Sequence, residues 1–159
     1  MNYFISIALL LLTWNANAEE IFPHGCTPLV VTGELVTLPA TKATITMIHN
    51  LSNMDLWITH PVSEPNASAG WSSRLQSGNW SALALNDDAF ELSCIESSPG
   101  HEQQTPCSGV VAVCQWTATK MPKKSSGTYW AGEDMPLDPL IAYIKRRGFV
   151  FSEKDVSDK

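Results

Sequence analysis

Charge is scarce in this chain: Asp, Glu, Lys and Arg make up 16% of its 159 residues, against about 25% in ordinary globular sequences. A chain that is 44% hydrophobic with so little charge is not intrinsically disordered, and it lacks the repeats of a coiled coil or collagen. A basic surplus is missing too. Ten Lys and Arg stand against 16 Asp and Glu, a formal net charge of −6, whereas a nucleic-acid binder needs the opposite balance to displace counterions from phosphate. No apolar run approaches the about 20 residues that cross a hydrocarbon core. The Cys-x-x-Cys spacing of redox motifs and zinc knuckles does not occur. Neither does a Gly-x-Ser-x-Gly nucleophile elbow, nor a glycine loop that would cradle phosphate.

What is present begins with a short apolar run, Ile5 to Leu12, followed by Ala16-Asn17-Ala18. Small residues on either side of Asn17 form an A-x-A cleavage pattern, which predicts a signal peptide over 1–18 even though no Lys or Arg precedes the run. No Cys follows the cut, which argues against lipid attachment. Residues 19–151 are expected to form a single β-rich domain and 152–159 a frayed tail. The chain is then exported, to the periplasm or the medium, and is not membrane-spanning. Its four cysteines, Cys26, Cys94, Cys107 and Cys114, all follow the cut, and an even number in an exported chain reads as two disulfides. Three pairings are open; the favoured one joins Cys94 to Cys107 around a polar loop and Cys26 to Cys114.

Ala43 to Asn50 alternates as a half-buried strand does, and Asp55 to His60 resumes the pattern after a turn at Leu51 to Met54, which predicts a hairpin. Further strands are expected over Leu29 to Thr32, Trp80 to Leu85, Phe90 to Glu96 and Gly109 to Thr117. The last is apolar on both faces and therefore central. Such spacing predicts a small antiparallel β-sandwich or barrel. Near the end, Leu137, Leu140, Ile141 and Ile144 share a helical stripe. A helix over about 138–147 follows, capped by Asp138, opened by Pro139 and stopped by Gly148, with Phe149 to Phe151 as an edge strand.

Catalytic constellations are hard to find. His101-Glu102-Gln103-Gln104-Thr105 starts like a zinc-protease motif but lacks its second His and follows a Pro-Gly turn where that motif needs a helix. Glu91 and Glu96 fall on opposite faces of one strand and read as solvated carboxylates. A copper site is the alternative, built from His49, His60 and Met47, with Met54 nearby. The hairpin register sets His60 roughly 13 Å along the strand from His49, so only a longer loop would unite them. Trp57 and Trp116 are expected in the core. Trp71, Trp80 and Trp130, with Tyr129, lie among Gly and Ser and are expected on loops as a binding surface, where aromatics offer large contact area at small entropic cost. The Asn-x-Ser sites at Asn50, Asn66 and Asn79 read as turn chemistry.

Several segments carry a family resemblance: Leu56-Trp57-Ile58-Thr59-His60-Pro61, Ala69-Gly70-Trp71-Ser72-Ser73, Gly78-Asn79-Trp80-Ser81-Ala82-Leu83, Ser98-Pro99-Gly100-His101-Glu102-Gln103-Gln104 and Tyr129-Trp130-Ala131-Gly132-Glu133. Together they resemble the enhanced-entry protein EnhB family of Legionella and related intracellular bacteria. The resemblance implies an exported, virulence-associated protein linked to host-cell entry, with no implied reaction, ligand or functional residues. The resulting expectation is a non-catalytic binding or accessory protein of the bacterial envelope, whose partner is an envelope or host protein. Two alternatives stand beside it: a periplasmic copper-binding protein using His49, His60 and Met, and an acidic inhibitor of a basic cell-wall hydrolase.

Overall fold

The computed structural model of the chain describes residues 21–39, 43–60, 72–85, 89–122 and 127–151. The expected signal peptide, Trp71, Asn66 and the expected tail at 152–159 lie outside the described residues. The elements are β1 (Thr27–Leu29), β2 (Leu35–Leu38), β3 (Thr44–Asn50), β4 (Leu56–Thr59), β5 (Ser72–Leu75), β6 (Trp80–Leu85), β7 (Phe90–Ser98), β8 (His101–Thr105), β9 (Val111–Lys120), β10 (Tyr129–Met135), α1 (Leu137–Arg146) and β11 (Val150–Phe151).

Every strand pairing is antiparallel. The first sheet runs β1-β9-β3-β6-β10, with β11 also on β9; the second runs β2-β7-β4-β5, with β8 also on β7. The two pack face to face over Ile48, Leu83, Leu85, Val111 and Val113 from the first and Leu38, Leu56, Ile58, Leu75 and Leu92 from the second. This is the expected sandwich. The first sheet is covered a second time, because Ile45, Met47, Ala82 and Ala84 on its other face meet Leu140 and Ile144 of α1. Double coverage explains why all six residues of β6 are buried and why its sequence is nearly continuous apolar. Small residues let the helix settle: a Cβ at Gly132 on β10 would collide with Leu140 Cδ1.

The helix starts earlier than expected. Pro136 holds the N-cap position without a side-chain cap, so Asp138 sits within the first turn rather than capping it. Pro139 is tolerated there because amides of the first turn have no intrahelical acceptor. Gly148, at φ 97°, closes the other end, its N–H donating to the Lys145 carbonyl at 3.0 Å.

Both disulfides adopt the favoured pairing, Cys26–Cys114 and Cys94–Cys107. The first lies on the helix side of the first sheet, the second inside the inter-sheet core. Two formed bridges indicate an oxidising, exported compartment. Among the described residues no helix is long and apolar enough to cross a membrane.

The expected hairpin between Ala43–Asn50 and Asp55–His60 is not formed. Both edges of β3 are occupied, by β6 and β9, while β4 pairs β5 and β7 in the other sheet. The link is an arch from one sheet to the other, and Asn50 organises it. This side chain is fully buried. Its Nδ2 donates to the carbonyls of Met54 (2.7 Å) and Leu75 (2.9 Å), and its Oδ1 accepts from the N–H and hydroxyl of Ser52 at 2.9 and 2.7 Å. An Asx turn thus ties the arch to β5. The strand expected over Leu29 to Thr32 is also shifted: β1 ends at Leu29, and Val30 is 90% exposed as the chain turns towards the second sheet.

Candidate binding face

Strand parity turns Leu56, Ile58, Leu75, Leu92 and Cys94 into the core and the intervening side chains outward, Ser93 among them although it is buried. One cross-strand row reads Gln104, Ile95, Trp57, Arg74; the next reads Leu35, Ser93, Thr59, Ser72. Glu91, opposite Thr37, and Glu102, opposite Ser97, lie at the two ends. Leu35, Trp57 and Ile95 are half-buried, while Thr37, Arg74, Glu91, Glu102 and Gln104 are exposed. The Thr59 and Ser93 hydroxyls hydrogen-bond at 2.6 Å between the two strands. Arg74 forms a surface ion pair with Asp55. With strands about 4.8 Å apart and about 6.8 Å per two-residue step, the face measures roughly 14 by 20 Å. No described element packs on it.

Trp57 was expected in the core, yet Leu56 and Ile58 are the buried neighbours and Trp57 takes the outward position between them. Period-two alternation over Leu56 to Thr59 carries this signal. Trp116 is buried as expected, its Nε1 donating to the His24 carbonyl at 3.1 Å. The aromatics expected on loops are placed differently. Trp80 opens β6 and is only 3% exposed, because the face it occupies is sealed by Phe22 and His49. Trp130 is half-buried against the inter-sheet core. Tyr129 is half-buried with its hydroxyl inside, and the Arg147 guanidinium lies 5.7 Å from its ring centroid. Arg147 also donates to the Ala131 carbonyl at 2.8 Å, so this pair fastens the end of α1 to β10. Trp71 lies outside the described residues.

The copper alternative loses its scaffold. His49 lies on the helix side of the first sheet, stacked on Trp80 at 4.2 Å, and His60 stacks on Phe90 at 4.1 Å beside the second sheet. His60 Nδ1 is engaged by the Glu91 carbonyl at 2.7 Å, and Met47 is fully buried under the helix layer. Among the described residues no three His, Cys, Asp or Glu side chains gather as a metal site. His101 to Thr105 forms the exposed strand β8. Asn50 is buried, and Asn79 donates its amide to Asp134 Oδ1 at 2.9 Å, so both serve the fold as turn residues do. Asp134 itself adopts φ 48° and also accepts from the N–H of Gln76 at 2.8 Å, closing the side where β5 and β10 meet.

Burial depresses the pKa of His49 below the ordinary value of 6.5, opposed in part by its contact with the Gly78 backbone. The unfolded chain therefore binds this proton more readily. Stability from His49 is complete above about pH 6.5 and declines as pH falls from there towards the depressed folded-state value. Melting temperatures across that interval should drop more steeply for the natural chain than for His49→Gln. Parallel pH profiles for the two would refute the assignment.

Comparison with protein-family models, curated proteins and solved structures finds no match.

Proposed function

We propose that this chain is a non-catalytic binding or accessory protein of the bacterial envelope, supporting host-cell entry and docking through the outward face of the second sheet. One observation carries the reading: the first sheet is covered on both faces, whereas the outward face of the second holds half-buried Trp57, Ile95 and Leu35 within a polar frame, and no described element packs on it. Aromatic and aliphatic anchors encircled by polar groups suit protein recognition. The four cysteines are oxidised and supply no nucleophile. Glu91 and Glu102 are exposed at opposite ends of the face, which suits solvated charges better than an acid–base pair. The segments that resemble the enhanced-entry family support placement in the periplasm or at the cell surface, and several of them, Leu56 to His60 and Ser98 to Gln104, build this sheet.

A photo-crosslinking amino acid installed at position 57 in intact cells should yield a discrete protein adduct, and the same group at position 138, on the helix side, should not. Adducts from position 138 alone, or turnover of a substrate by the purified chain, contradict the reading.

A further inference from the structure

We infer that the occupant of the outward face is a basic polypeptide surface, with Lys and Arg set around an apolar centre. The inference rests on the docking-face reading above and names the partner's chemistry. Charge is divided between the two sides of the molecule. Among the described residues, the second sheet and its flanking turns carry Glu34, Asp55, Glu91, Glu96 and Glu102 against Arg74 alone. Arg74 is paired with Asp55, so that cation leaves the other carboxylates unopposed. The first sheet and its helix instead hold Lys120, Lys145, Arg146 and Arg147 against Glu133, Asp134 and Asp138.

Placement matters as much as number. Glu91 and Glu102 bracket the strip of Leu35, Ile95 and Trp57 along the strand direction, about 20 Å apart. A partner that seats an apolar group on Trp57 and Ile95 excludes water from the centre, which strengthens attraction between the flanking carboxylates and its own cations. An anionic membrane or nucleic acid is repelled by the same charges. A neutral glycan could stack on Trp57 but would gain little from Glu91 and Glu102.

The test uses the exported chain with both disulfides formed and a lysozyme of basic pI as the probe, read by calorimetric titration, with peptidoglycan as the glycan probe. The chain should bind the lysozyme and leave peptidoglycan in solution. Glu91→Gln with Glu102→Gln should weaken binding about tenfold, equivalent to about 1.4 kcal/mol; Trp57→Ala should weaken it as well, and Asp138→Asn should leave it unchanged. Raising salt from about 0.01 to about 0.15 M shortens the screening length from about 30 to about 8 Å, and should weaken the natural chain more than the double glutamine variant. Equal affinity of the double variant and the natural chain overturns the cationic partner; if Trp57→Ala still weakens binding, the docking face survives, and if it does not, both readings fail. Retention on peptidoglycan, or no binding of the lysozyme at low salt, also overturns the inference.

Discussion

Asn50→Ala is expected to destabilise the protein by about 2–4 kcal/mol. The substitution deletes four hydrogen bonds at a fully buried site and strands the Leu75 carbonyl, whereas the Met54 carbonyl keeps the Ser52 hydroxyl as a donor at 3.0 Å. Each buried acceptor left without a donor costs about 1–3 kcal/mol. Asn50→Asp should fare no better, since it keeps the acceptor towards Ser52 but turns the donor into a charge facing two carbonyl oxygens. Urea unfolding followed by tryptophan fluorescence measures both. Midpoints within experimental error of the natural chain would show that the arch between the sheets is held by something other than this amide.

Removing the disulfides should have effects at least as large. Cys26–Cys114 spans 88 residues and Cys94–Cys107 spans 13. Loop-closure entropy in the unfolded chain then gives about 4.6 kcal/mol for the long bridge and about 3 kcal/mol for the short one. Both bridges also lie in buried core clusters, so either alanine pair leaves a void that adds about 1 kcal/mol. Paired alanine substitutions should therefore lower stability by about 4 kcal/mol at the short bridge and about 5–6 kcal/mol at the long one. Retention of full stability by either double variant would contradict this account.

Much of the fold is legible in local pattern. Alternation in Ala43 to Asn50 and Phe90 to Glu96, and the apolar doubling of Val110 to Trp116, mark strands because burial imposes a period on side chains. Of the three pairings open in the sequence, the one favoured for its short polar loop is the one formed. Elements without such a period escape notice. β5 (Ser72–Leu75) and β8 (His101–Thr105) are polar segments held mainly by backbone pairing with β4 and β7, and their side chains carry little trace of it. The hairpin failed for a related reason. Four residues between two strands fit a tight return as well as an arch, and the arbiter is a contact from Asn50 to Leu75, 25 residues away.

The site was less legible than the fold. Gly and Ser beside Trp80 and Trp130 resemble loop surroundings, yet Ser81 and Ala82 are strand positions in a sheet covered on both faces. Trp57 lies on a strand, which points to the core, but its parity turns it outward. Which face of a sheet receives a helix is decided by the chain's global path, and no local window reports it.

The most direct measurement is a residue-resolved map of amide chemical shifts in the exported chain during titration with the basic lysozyme. Shifts should concentrate on Leu35, Trp57, Ile95 and Gln104, with the signals of Leu137 to Arg147 unmoved. Shifts confined to the helix and its flanking turns would contradict docking through the second sheet.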